Sequence, residues 1–335
     1  MNTTYKPHDE RNERDTTGLI RRLPRACTDE RLAVEFMEQQ RWGNDPACPH
    51  CGALEVYQMR DRATGERSKR WLWMCRACGQ QFTVRVGTVF EDSRIPLQHW
   101  CFAFWRACSA KKGVSALEIR RTTQVSYKSA LFMMHRIRYA MAPDSPTAPK
   151  LTGFVEADET YVGGKPRPRG ERRRAPVDGL PRIPSAPSNK VPVMAMVQRD
   201  GDVRAEVLTE VTARNVGAVL FANVSPEAHL RTDEGSHYKG IGKRFASHEA
   251  VTHSAYEYVR GDASTNAAES FFSRLKRQLY GTHHAVSKRH LHRYVAEVAF
   301  KHNTRKLDDG ERVRAAIRAG DGKRLMYRQP ARGGA

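Results

Sequence analysis

Residues 151–164 read LTGFVEADETYVGG, and the fold of the chain turns on how they are taken. Apolar Leu151, Phe154 and Val155 lead a strand-like run into three carboxylates, Glu156, Asp158 and Glu159. Alternation along a strand puts Glu156 and Asp158 on one face and Glu159 on the other. A strand that ends in carboxylates invites a search for others that could meet them.

Working downstream, residues 191–211 (VPVMAMVQRDGDVRAEVLTEV) read as two strands around the turn RDGD. Residues 212–224 (TARNVGAVLFANV) read as a helix starting at Thr212. Residues 228–241 (AHLRTDEGSHYKGI) hold a short strand ending at Thr232, Asp233 and Glu234, with Gly235 opening a turn. A later helix is TNAAESFFSRLKRQL, 265–279. The order is strand, strand, strand, helix, strand, helix. This α/β layout is similar to a ribonuclease-H-like fold with a mixed sheet.

Its chemistry gives the carboxylates a purpose. Cutting a phosphodiester with two Mg2+ needs hard oxygen ligands holding ions about 3.5–4 Å apart. Asp158 on the first strand and Asp233 on the fourth converge if those strands are neighbours, because adjacent strands lie about 5 Å apart. A third carboxylate must arrive on a helix, and Glu269 is the candidate. It sits in very basic surroundings: from Ser270 to Lys301 the one other carboxylate is Glu297. Lys276, two helical turns on, shares its face and is placed to hold DNA. Each assignment has a rival. Glu156 or Glu159 competes with Asp158, Glu234 competes with Asp233, and Glu269 with Lys276 can be read as a plain ion pair.

Upstream, the pairs Cys48/Cys51 (CPHCG) and Cys75/Cys78 (CRACGQQF) have the spacing of two zinc knuckles, each with Gly behind it. The alternating stretches between them complete a zinc ribbon folded by Zn2+. His50 is expected to be exposed, and Cys27, Cys101 and Cys108 to be packing residues. Before the ribbon, TDERLAVEFMEQQRW (28–42) reads as a helix with Thr28 as N-cap. After it, three helical patterns are expected. A short one at Ser115–Arg121, a turn near Gln124 and Val125, and a helix capped by Ser126 give helix-turn-helix spacing, with Tyr127, Lys128 and Ser129 leading the recognition helix.

The 335 residues are expected to divide as follows: a disordered tail at 1–20, helix plus ribbon at 28–87, a helix-turn-helix-like domain at 88–142 and a linker at 143–150. The catalytic core then spans 151–310, with a Pro- and Arg-rich insert at 165–190, and a basic tail takes 311–335. Lys and Arg number 57 against 37 Asp and Glu, a net charge of +20 that points to nucleic acid as partner. His283, His284, Lys288, Arg289, His290, His292 and Arg293 read as a phosphate-facing surface. No run of about 18 apolar residues and no signal-like start are present, so no membrane span is expected, and the cytoplasm or bacterial nucleoid is the expected site.

The segments just quoted, with CRACGQQFTVRVGTVFEDSRIPL, HSAYEYVRGD, LKRQLYGTHHAVSKRHLHRYVAEVAF and HNTR, resemble bacterial insertion-sequence transposases with an N-terminal zinc ribbon and a DDE core. The resemblance runs from about residue 28 to 308. It implies that Asp158, Asp233 and Glu269 bind Mg2+ or Mn2+, that Lys276 is the associated basic residue, and that Asn266 shares the third role, since some relatives carry Asn there. Ser264 stands where the family tends to have His, and Phe272 where it tends to have Trp. The implied activity frees 3′-OH groups at the element's terminal repeats and joins them to target DNA, in a homodimer or higher oligomer. No covalent protein–DNA intermediate is implied, so Tyr161 and Tyr238 are expected to pack or touch DNA. A non-catalytic regulator and a simple nuclease are the competing classes.

Overall fold

The computed structural model describes residues 16–143, 149–163, 190–251 and 266–326. Most of the expected insert, the middle of the linker, Ser264 and the HSAYEYVRGD motif lie outside the described residues. The chain forms two compact units, Met1–Ser145 with Thr304–Ala335, and Pro146–Asn303.

In the first unit, α1 (Thr16–Ala26) begins inside the expected tail, because Leu19 and Leu23, one turn apart, are both buried. Helix α2 (Glu30–Trp42) is capped one residue later than expected. Asp29 accepts from the Leu32 N–H at 2.8 Å, while the Thr28 hydroxyl turns back to the Arg25 carbonyl. The ribbon is an antiparallel sheet of β1 (Val56–Gln58), β2 (Trp73–Cys75) and β3 (Gln81–Phe82). Its small core joins Cys48, Trp73, Cys75 and Phe82, with Trp42 of α2 edge-on to Trp73 at 5.7 Å.

Three helices follow: α3 (Leu97–Ser109), α4 (Ala116–Thr123) and α5 (Tyr127–Met141). Ser115 caps α4 through the Glu118 N–H, and Ser126 caps α5 through the Ser129 N–H. The turn between them is made by Gln124, in the left-handed region at φ 60°, and Val125. Tyr127 and Lys128 stand exposed at the start of α5.

The second unit is built on a five-stranded mixed sheet: β4 (Phe154–Val162), β5 (Val191–Gln198), β6 (Val203–Val207), β7 (His229–Asp233) and β8 (Ser247–Val251), in the order β6-β5-β4-β7-β8. β4, β7 and β8 run parallel, and β5 is antiparallel to both neighbours. Strand alternation feeds two cores. Val193, Ala195 and Val197 of β5 meet α8 (Asn266–Gln278) and α9 (Leu291–Asn303) through Phe271, Leu275, Val295 and Val298. Met194 and Met196, with Val155 and Ala157, face α6 (Ala213–Asn223) and α7 (Tyr238–Ile241) on the other side. This is a ribonuclease-H-like core, with one edge strand, β8, that the sequence reading did not anticipate.

The first unit is completed from the far end of the chain. Residues read as the end of the core and a tail form α10 (Asp309–Arg318), opened by a capping box between Asp308 and Glu311. Val313, Ala316 and Ile317 are buried, and the helix packs on α1, α2, α3 and α5. A Cβ on Gly310 would stand 2.7 Å from Leu19 Cδ2, so a larger residue there would push Leu19 aside. Arg318 donates to the Gln40 carbonyl at 3.0 Å, and Arg41 pairs with Asp321 at 2.7 Å. No described helix is long and apolar enough to cross a membrane.

Candidate active site and metal centre

The pairing of β4 with β7 ends at Glu156 opposite Arg231. Two residues further along each strand stand Asp158 and Asp233, so the register carries both to the same end and face of the sheet. A backbone N–H steadies one oxygen of each. Asp158 Oδ1 accepts from Glu159 N at 2.7 Å, and Asp233 Oδ1 from Gly235 N at 3.0 Å. A Cβ on Gly235 would lie 2.9 Å from that Asp233 oxygen and 2.6 Å from His237 Cε1, so any other residue there would displace these side chains.

Helix α8 approaches the same face, seated by Phe271 and Leu275. Its first turn holds Glu269, which is exposed. Asn266 opens the helix one turn earlier and is exposed too, while Lys276 is half-buried two turns on.

Electrostatics couple these elements. The Asp158 carboxyl is pushed up to about 7, chiefly by burial. The Glu159 N–H opposes this, and the negative charges of Asp233, Glu159 and Glu269 add to it. Carboxylate oxygens gathered on one face of the sheet are hard donors, a set suited to divalent cations such as Mg2+ or Mn2+. Among the described residues, the four ribbon cysteines form the one group of three or more Cys, His, Asp or Glu whose ligand atoms all lie within 4.8 Å. The carboxylates are spread more widely than such a single-ion cage.

The rival carboxylates are engaged elsewhere. Glu156 is 3% exposed, and its Oε2 accepts from the backbone N–H groups of Ala267 at 2.7 Å and Ala268 at 3.4 Å. Glu159 lies on the opposite face, where it accepts from the Tyr238 hydroxyl and faces His237 Nε2 at 3.5 Å. Burial raises its carboxyl and also raises the Tyr238 hydroxyl above its ordinary range. Tyr238 is 1% exposed, a packing residue, whereas Tyr161 is 53% exposed. Glu234 is exposed. The Glu156 contact was missed from sequence, although alternation had already put that residue on the face of Asp158.

The basic stretch after α8 is mostly exposed: His284, Lys288, Arg289 and His292 point to solvent, and His283, His290 and Arg293 are half-buried. Burial, then Arg293, holds His290 and His292 below their ordinary range, so they stay neutral near pH 7 and the lysine and arginines carry the charge.

In the ribbon, Cys48 and Cys78 sulfurs lie 3.7 Å apart, as do those of Cys51 and Cys75. A tetrahedron with Zn–S bonds of about 2.3 Å has edges of about 3.7–3.8 Å, so the four thiols fit Zn2+. The Cys78 backbone N–H is the chief cause that lowers the Cys75 thiol to about 7, while burial and the neighbouring thiols push Cys51 and Cys78 up, so one thiolate forms readily and the others share its field. His50 is exposed and outside the set, Cys101 and Cys108 are buried, and Cys27 is half-buried.

Residues 150–303 match the model of the ISXO2-like transposase domain, and residues 28–81 that of the transposase zinc-ribbon domain. The chain is similar to a Halobacterium salinarum protein described as an uncharacterized protein in transposable element ISH50. The two are 30% identical over 270 residues, covering 79% of this chain and 88% of the relative.

Proposed function

Because the chain belongs to the insertion-sequence transposases with an ISXO2-like domain and a zinc ribbon, we propose that it cleaves DNA at its element's terminal repeats and joins the freed 3′-OH ends to target DNA. Asp158, Asp233 and Glu269 form the metal-binding set, with Asn266 beside Glu269 and Lys276 holding the DNA end. Mg2+ or Mn2+, when bound, stabilises charge on the scissile phosphate and activates the attacking oxygen. The carboxylates orient that centre, and the lysines and arginines around α8 and α9 neutralise phosphates and hold the strand in line. The zinc ribbon and the α4–α5 pair bind DNA, the latter through Tyr127 and Lys128. Two element ends call for two active sites, hence a homodimer or higher oligomer on DNA, acting in the cytoplasm or on the nucleoid.

The observation that carries this reading is the strand register, which brings Asp158 and Asp233 to one end and face of the sheet, the face that α8 with Glu269 approaches. Burial is the first cause of the rise of the Asp158 carboxyl, and the charges of Asp233 and Glu269 add to it.

The test is strand transfer on a labelled duplex bearing the element's own end, with Mg2+. Wild-type protein should give joined product, and Glu269→Gln should lose it by on the order of 10²–10³-fold. Cutting without joining would favour a nuclease. Tight binding with no chemistry would favour a regulator. Equal activity of the two proteins would remove Glu269 from the site and turn attention to Asn266.

A further inference from the structure

We propose that Glu156 is a positioning residue: it locks the first turn of α8, and with it Glu269, to the strand that carries Asp158. The inference rests on the three-carboxylate reading above. The first N–H groups of a helix have no partner within it, and the helix dipole favours an anion beside them. Here the anion comes from the middle of a β-strand, 111 residues before Ala267 in sequence. Glu156 Oε2 takes the Ala267 N–H at 2.7 Å and the Ala268 N–H at 3.4 Å, and the next residue is Glu269.

The apolar contacts of α8 do this less well, and its polar contact from Arg274 to His302, at 2.7 Å, lies beyond the first turn. Phe271, Phe272 and Leu275 press the helix onto the sheet. Apolar contact is non-directional, so it resists lifting better than sliding along the helix axis. A hydrogen bond at the N-terminus fixes axial register. In a site where a displacement of about 1 Å can cost about 100-fold in rate, register is what a metal-binding glutamate needs. Glu156 is two residues from Asp158 on the same strand face, so one β-strand would set both carboxylates.

The test uses the full zinc-loaded chain as wild type, Glu156→Gln, Glu156→Ala and Glu269→Gln. Amide hydrogen exchange over residues 266–271 reports the lock, and calorimetric Mn2+ titration reports the site. Glu156→Ala should speed first-turn exchange about tenfold or more and weaken Mn2+ binding by about 10–100-fold, the usual effect of losing a residue that orients a ligand. Glu156→Gln keeps a carbonyl oxygen to accept the same N–H groups. It should stay within about threefold of wild type in exchange and retain most Mn2+ affinity.

Unchanged exchange in Glu156→Ala overturns the lock. Should that variant not fold, Glu156→Gln decides alone. If it binds Mn2+ as poorly as Glu269→Gln while its exchange matches wild type, Glu156 is a direct ligand and the proposal is wrong. Equal Mn2+ binding by wild type and Glu269→Gln overturns the three-carboxylate reading and the functional half of this inference, while exchange still reports the lock separately.

Discussion

Asp158 is kept in the fold at a cost that pH reveals. Its carboxyl titrates near 3.9 in an unfolded chain and at about 7 in the folded one. Between those values the folded protein holds the extra proton, so stability falls as pH rises through the window and stays reduced above it. Asp158→Asn removes the charge without emptying the site. In chelator at pH 8, the variant should melt roughly 2–4 °C above wild type, the shift that about 1 kcal/mol produces in a domain of this size. The gap should close by about pH 4, where both side chains are neutral. Scanning calorimetry across that range checks this, and parallel profiles would mean that neither burial nor the neighbouring charges raise Asp158. The three proposed ligands could be read from sequence because each is a carboxylate set in or at the end of an apolar strand or on a basic helix, although β4 runs on past Asp158 to Val162. The role of Glu156 could not. Its partners are backbone N–H groups, which look alike at every residue, and only the fold brings the right two within reach.

Elements were legible where their signals are local. Ser115 and Ser126 mark the starts of α4 and α5, and the knuckle spacing marks the ribbon. The polar edge strand β8, reading SHEAV, offers no apolar alternation, and its place is set by pairing with β7. Helix α10 did carry a local signal, the Asp308/Glu311 capping box ahead of Val313, Ala316 and Ile317. The surrounding charge masked it. Two predictions belong at this scale. Stripping zinc should unfold the ribbon, whose core is too small to stand on burial alone. Trp73 packs there against Trp42 and Phe82, so tryptophan emission should shift to the red on chelation and recover on adding Zn2+. Lys128→Ala should weaken DNA binding nearly uniformly across sequences and reduce the slope of log affinity against log salt by about one. A change confined to one base position would instead assign Lys128 to base reading.

At the scale of the whole molecule, the net charge of +20 favours polyanions of any sequence, so the proposed function assigns sequence choice to the α4–α5 surface and the ribbon. The same scale explains why the two compact units divide the chain differently from the expected domains. A helix that closes a unit begun almost 300 residues earlier leaves no mark of that partnership in its own neighbourhood. Burying Val313 and Ile317 contributes about 3–6 kcal/mol, comparable with the whole stability of a typical domain. A chain ended after Asn303 should therefore lose the melting transition of the first unit and keep that of Pro146–Asn303. Two retained transitions would show that α10 is dispensable.

The split first unit also sets an order of events on the ribosome. Its N-terminal helices emerge early but wait, without their closing helix, until residue 318 has been made, whereas the second unit is complete by residue 303. Residues 309–318 are thus needed to finish a unit whose first helix begins at Thr16. A product cut short between residues 303 and 309 would keep the second unit and lack the helix that closes the first, separating what the two units do.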